Sequence, residues 1–337
     1  MEEKFPRYPL VELHAHLGAS INPSILWKIA QTQGIKLTTR NFEDFKNYIS
    51  IDSSKNMTLN DYLSRIYHTV LDPLSSGTYA VEEATYEIMS GAYRNGIDII
   101  ELRANPMKHN NEGRSDLDYI ILAMLRGMER ALLEYPTLCA GVILCCAREF
   151  TFEQNSIIIE KAIKYHRRGV VGIDFAGMGS SKFSYKDYEK VVRKAKKSGL
   201  GITVHTGEVK DANDMWDALT LNPDRIGHGV LAYKDVELMK ELSKRKTVLE
   251  VCPGSNIATL AVSNYDEFKK IFGEFQKNNV LFTINTDWPE IIPDAHLWRQ
   301  YMLLRDAGVL SEKQLEKCTD IARKAAFVKK SGIGAYL

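Results

Sequence analysis

The sequence predicts an α/β protein folded as a (β/α)8 barrel of the TIM type, and three observations carry that expectation. Eight short apolar, β-branched runs recur along the chain. Helix-period segments separate most of them, and half of the eight histidines fall at the carboxyl ends of the runs. Near-continuous apolar strands alternating with amphipathic helices are the pattern of parallel strands covered by helices, and eight such units suffice to close a barrel. A length of 337 residues suits one such barrel enlarged by an insertion.

The runs are Leu10–His14, Ile97–Arg103, Gly141–Cys146, Val170–Asp174, Gly201–His205, Arg225–His228, Val248–Cys252 and Leu281–Asp287. Gly96, Gly169 and Gly199 stand just before the second, fourth and fifth, where the preceding helices need a C-cap. About 80 residues separate the first two runs, far more than any later pair, and a βα interval of that size marks an insertion. It carries helical patterns such as Leu59-Tyr62-Leu63-Ile66-Tyr67 and Val81-Tyr86-Ile88-Met89. The expectation is therefore a helical insertion after the first strand, residues 20–95 in round terms, lying at the C-terminal mouth as a lid. The stripe Leu59, Tyr62, Leu63 and Ile66 reads as a packed helix face, with an apolar gate as the alternative. With no Pro/Gly/Ser linker, low-complexity tract or repeat, residues 1–337 read as a single domain.

Hydrophobic residues at 45% and charged residues at 26% suit a globular protein with a sizeable core. A net charge of +1, with no dense basic stripe, argues against a nucleic-acid partner. The stretch Lys190–Lys197 is interrupted by Val191, Val192 and Ala195, the pattern of a solvated amphipathic helix. The five cysteines, Cys139, Cys145, Cys146, Cys252 and Cys318, form no CxxC and read as free thiols of a reducing compartment. No apolar stretch approaches the roughly 18 residues of a membrane span. Met1-Glu2-Glu3-Lys4 does not open a signal peptide. A cytoplasmic protein with no membrane partner is expected, of open oligomeric state.

The polar residues at the strand ends carry the chemistry. His14-Ala15-His16 closes the first run, and residues two apart on a strand face the same way, so both imidazoles can meet one ion. His205 ends the fifth run, His228 the sixth and Asp287 the eighth. Strand C-termini of a barrel converge on one mouth, so three histidines and an aspartate from strands one, five and eight can surround a single cation. Three imidazoles and a carboxylate suit Zn²⁺ with one position left open. No Lys or Glu ends the fourth run to bridge a second metal, which leaves one zinc per chain.

Taken in order, His14-Ala-His16, His205-Thr-Gly-Glu208, Arg225-Ile-Gly-His228-Gly, Cys252-Pro-Gly-Ser-Asn256 and Thr286-Asp287 resemble the motifs of the adenosine deaminase family of the amidohydrolase superfamily. Glu101-Leu-Arg103 and Ile173-Asp174-Phe-Ala-Gly177 resemble its strand-two and strand-four motifs, and the likeness runs from about residue 8 to residue 330. The H-x-E and P-C-x-x-C signature of the other zinc deaminases is absent from the sequence. The resemblance implies hydrolytic deamination of an adenosine-type nucleoside, or a 5′-modified or nucleotide derivative, at the amino-bearing carbon. It implies that His14, His16, His205 and Asp287 hold the zinc, which activates a water. Glu208 would then shuttle a proton to ring N1. His228 would orient the water, accept its proton or stabilise the oxyanion. The Gly177 N–H would bond purine N3, and Asn256 would act from behind the site. Two positions depart from the family. An acidic residue that binds the 5′-hydroxyl usually stands where this chain has Gly18, and a second Asp usually follows the metal Asp where it has Trp288. A glycine there opens room for a larger 5′ group, unless a residue of the insertion supplies the contact, and Trp288 offers a stacking wall. Two alternatives are a family member that binds nucleoside or metal without turnover, and an amidohydrolase of another heterocycle.

Overall fold

Leu10–His16 (β1), Ile97–Ala104 (β2), Cys139–Ala147 (β3), Val170–Ala176 (β4), Gly201–Thr206 (β5), Arg225–His228 (β6), Val248–Val251 (β7) and Leu281–Ile284 (β8) form one eight-stranded sheet. Its order is β1 to β8, and every neighbouring pair is parallel. This architecture comes from a computed structural model that describes residues 6, 8–37, 39–51, 58–110, 113, 115–178, 182–209 and 212–328. The strands are buried on both faces, which explains why they read as apolar runs. Helices start where a short polar side chain can accept an orphan backbone N–H, as at Asn22, Asp116, Thr151 and Asp235. Gly169 and Gly199 end their helices at φ +120° and +96°, a region open to glycine. Glu189–Lys197 is helical and buries only Val192 and Ala195, as the interrupted basic stretch predicts.

The eighth strand is shorter than its apolar run suggests. β8 ends at Ile284; the Asn285 N–H still donates to the Val251 carbonyl of β7 (2.8 Å), while the Asn285 side chain, Thr286 and Asp287 meet β1 by other means. Leu13 N–H donates to Asn285 Oδ1 (3.1 Å) and Thr286 N–H to Glu12 Oε2 (3.1 Å). Asp287 N–H then donates to the His14 carbonyl (2.7 Å), and His16 N–H donates to the Asp287 carbonyl (3.1 Å). A parallel bridge between Ala15 and Asp287 thus joins the two ends of the sheet order. At the opposite end, Phe327 lies where a Cβ on Gly201 or Gly172 would collide with it, at 2.2 and 2.8 Å. The Arg225 guanidinium covers that ring at 3.6 Å.

Between β1 and β2 the chain forms helices Pro23–Thr32 and Phe42–Ile49, then Leu59–Tyr62. The last runs on into a π-helical stretch, Leu63–Leu71, and a final turn, Asp72–Leu74, before helix Thr78–Arg94. Tyr62 and Ile66 face the core, whereas Leu59 and Leu63 border the cavity at the barrel mouth. Among the described residues no helix is long and apolar enough to cross a membrane.

Candidate active site

The mouth of the barrel opens into a cavity of about 460 Å³. His16, His205, Glu208, His228, Asp287, Gly177 and Trp288 all border it, and His14, fully buried, packs against the rings of His16, His205 and His228. Two of the rings are held from behind by carboxylates. His14 Nδ1 is 2.8 Å from Glu250 Oε2, and His205 Nδ1 is 3.0 Å from Asp174 Oδ1. Those carboxylates accept from Nδ1–H and so leave both Nε2 lone pairs aimed inward. His14 Nε2 is buried without any hydrogen-bond partner. His16 Nε2 lies 3.0 Å from His205 Nε2 and 3.3 Å from Asp287 Oδ1, and His14 Nε2 lies 3.5 Å from the same oxygen. Burial and the neighbouring positive groups push the His14 and His16 pKa values well below the ordinary imidazole value, so both rings are neutral donors of electron pairs.

Four inward-facing donors with an orphaned nitrogen among them are what a metal ion would satisfy. Ligating atoms of His14, His16 and Asp287 all lie within 4.8 Å of one another, and so do those of His14, His205 and His228. His228 thus joins the cluster as closely as the expected ligands do, although the family resemblance gave it a role toward the attacking water and not as a ligand. Its other contacts differ: Asn256 Nδ2 donates to His228 Nδ1 (3.1 Å), leaving Nε2–H directed at Glu208 Oε2, 3.4 Å away. Thr259 Oγ donates to the other oxygen of Glu208 at 3.2 Å. Ser255 Oγ donates to Asp287 Oδ2 at 2.6 Å, so the helix Pro253–Ala258 after β7 supports two site residues at once.

His228 and Asp287 have φ of +61° and +66°, unusual for side-chain-bearing residues. Such strain costs on the order of 1–3 kcal/mol and persists where surrounding contacts fix it. Gly227 answers a steric need: a Cβ there would lie 2.9 Å from His14 Cε1 and 3.3 Å from the His205 ring. At Gly177 a Cβ would meet Glu149 Oε2 at 2.4 Å.

Beneath the rings runs a buried ionic lattice that strand-end reading missed. Arg103 donates to Asp174 (2.9 Å), Glu250 (2.7 Å) and the Leu13 carbonyl, and Arg225 donates through Nε to Glu250 (2.6 Å) and pairs with Glu101 (2.7 Å). Burial disfavours the Arg103 charge, but Glu250 and Asp174 outweigh it and raise its pKa. Burial likewise opposes ionisation of Asp174, and His205 and Arg103 hold it well below the carboxylate range. Glu250 alternates with apolar neighbours inside β7, so no motif marks it. His68 and His109, which lacked partners by spacing, also line the cavity, along with Asp72 and Asn105.

Residues 9–333 match the model of the adenosine deaminase family. The chain belongs to that family. An adenosine deaminase of Enterococcus faecalis is 31% identical over 327 residues, covering 97% of this chain and 94% of that one. The fold is shared with the N6-mAMP deaminase of Arabidopsis, at TM-score 0.79 and 24% identity over 97% of this chain and 96% of that one. It is shared too with a zinc-bound amidohydrolase of Burkholderia ambifaria, at TM-score 0.82 and 19% identity over 99% and 89%. Adenosine deaminases are hydrolases of cyclic amidine C–N bonds, which is the class of this enzyme.

The two departures now have surroundings. Trp288 is buried and packs against Tyr62 and Tyr67 of the insertion, with ring centroids 5.0 and 5.9 Å away. Gly18 is buried as well, and the space beside it is filled: its Cβ position lies 3.2 Å from the Tyr67 hydroxyl and 3.6 Å from Asp72 Oδ1.

Proposed function

We propose that this enzyme adds water to the amino-bearing carbon of an adenosine-type purine and expels ammonia, leaving the inosine-type product. The observation that supports it best is the inward-facing donor set beside the Glu208–His228 pair, in a chain related to adenosine deaminases. His14, His16, His205 and Asp287 would hold one Zn²⁺, and a Zn²⁺ ion bound there supplies Lewis-acid activation of water near neutral pH. His228, oriented by Asn256, presents Nε2 beside Glu208, where it would orient the attacking water. Glu208, steadied by Thr259, carries a proton to ring N1 so that the ring accepts addition, and the amino group leaves with a proton as ammonia. The Gly177 N–H bonds N3 at the opposite edge of the purine. Trp288 and the apolar side chains of Leu59 and Leu63 exclude water as a lid over the bound ring.

The test is ammonia release from adenosine by zinc-loaded protein, with metal content measured alongside and Glu208→Gln in parallel. Turnover that disappears in the variant while zinc remains supports the assignment. Release of neither ammonia (from adenosine, AMP or adenine) nor methylamine (from N6-methyl-AMP) by folded, zinc-containing wild type would overturn it.

A further inference from the structure

The wall contributed by the insertion and by the loop after β2 contains polar groups that the chemistry just described leaves unused. Asp72 borders the cavity, is only 6% exposed, and approaches the end of β1 over Gly18. One of its oxygens takes His68 Nδ1 at 2.8 Å, and His68 Nε2 is then a buried nitrogen with no partner. Asn105, 8% exposed, uses Oδ1 to accept from the Met107 and Lys108 N–H groups at 2.9 and 3.0 Å. That fixes its amide orientation and leaves Nδ2 a buried donor without a partner. A carboxylate acceptor beside unsatisfied nitrogens is the complement of a group bearing several hydroxyls, each of which both donates and accepts.

The charge of this wall narrows the choice. Lys108 Nζ is paired with Glu149 Oε1 at 2.5 Å. Arg148 is spent on the carbonyls of Gly177 and His205 and on Asp214. Burial keeps the pKa of His109 below the ordinary value, so it adds no positive charge at neutral pH. Among the described lining residues, then, no cation is left uncommitted to face a phosphate, whereas Asp72 would repel one.

We infer that Asp72, His68 and Asn105 form a sugar subsite that takes the uncharged ribose of a nucleoside and disfavours a sugar phosphate. The inference rests on the purine-deaminase reading and narrows its substrate. Asp72 accepts from a ribose hydroxyl, and Asn105 Nδ2 and His68 Nε2 meet the remaining oxygens. Recognition of the sugar is thereby delivered by the insertion and the loop after β2, with Asp72 and Tyr67 filling the space beside Gly18 at the end of β1.

Calorimetric titration of zinc-replete protein with inosine, IMP and hypoxanthine separates the possibilities without relying on turnover. Inosine is expected to bind at least about 10-fold more tightly than IMP, the effect of one lost or repelled polar contact. Asp72→Asn, which keeps the size and the His68 contact, is expected to weaken inosine about 10-fold and leave hypoxanthine within about twofold. IMP binding more tightly than inosine to wild type, with ammonia still released from a purine, would overturn the subsite alone. Equal losses for inosine and hypoxanthine in Asp72→Asn would do the same by showing a structural role. No binding of any of the three, together with no ammonia release, would sink the deaminase reading as well.

Discussion

On the strand side of the cavity three site residues are held by partners from distant parts of the chain: His14 by Glu250, His205 by Asp174 and Asp287 by Ser255, with Arg103 joining Glu250 to Asp174 and Arg225 bracing Glu250. On the insertion side the partners are near in sequence. His68 pairs with Asp72 four residues on, and Asn105 with the two N–H groups that follow its turn. Non-local partners fix side chains only when the whole barrel is formed, and altering one disturbs several strands. Local partners can change with the segment that carries them. On the function proposed above, the bond-making groups would stand on the rigid wall and the recognition groups on the exchangeable one.

The sharpest break of this comparison is Glu208→Gln. It should lower kcat for ammonia release by roughly 10³-fold or more while zinc content stays at one per chain, because a proton carrier is lost and no proposed ligand is touched. Next comes the lattice. Arg103→Met strands two buried carboxylates and should cost about 3–5 kcal/mol in denaturant unfolding. His68→Ala, on the other wall, should cost under about 1 kcal/mol, since its pair is partly exposed. Equal losses from the two variants would erase the contrast. Trp288→Leu tests the junction between the walls. The lost contacts with Tyr62 and Tyr67 should cost about 1–2 kcal/mol and raise amide exchange in residues 59–74 before the strands. The smallest effect concerns thiols. Burial raises the pKa of Cys145, Cys146 and Cys252 and pushes Cys318 up to about 12, so their thiolate fractions fall at pH 8. Native protein should therefore expose at most Cys139 to rapid alkylation, and four fast-reacting thiols would show an open barrel wall.

The same contrast explains what the sequence disclosed. Strands buried on both faces write themselves as apolar runs, and a histidine or aspartate ending such a run stands out against them. His14, His16, His205, His228 and Asp287 were legible for that reason, as was the barrel. The β8 run reads too long because Asn285 still bonds back to Val251 and Thr286 continues the pattern, while the Asn285 side chain and the Thr286 N–H already go to Leu13 and Glu12 of β1. Glu250 escaped notice because the arginines that justify a charge inside β7 come from β2 and β6, far away in sequence. Asp72 and Asn105 escaped for the opposite reason. Their segments carry no periodic signature tying them to the mouth, and only the fold lays Asp72 over Gly18 and brings both to the cavity that the histidines border.

Asp287 meets its companions twice, by its carboxylate near His14 and His16 and by its main chain bonded to the same two residues. More than 270 positions of chain separate the two sides of that contact. During synthesis the first histidines therefore leave the ribosome long before the residue that completes their pocket exists. A nascent chain halted anywhere short of residue 287 has a β1 edge with nothing to close on. Assembly of the donor cluster is in that sense a late checkpoint, reached only when the last strand has been made and the ends of the barrel have found each other.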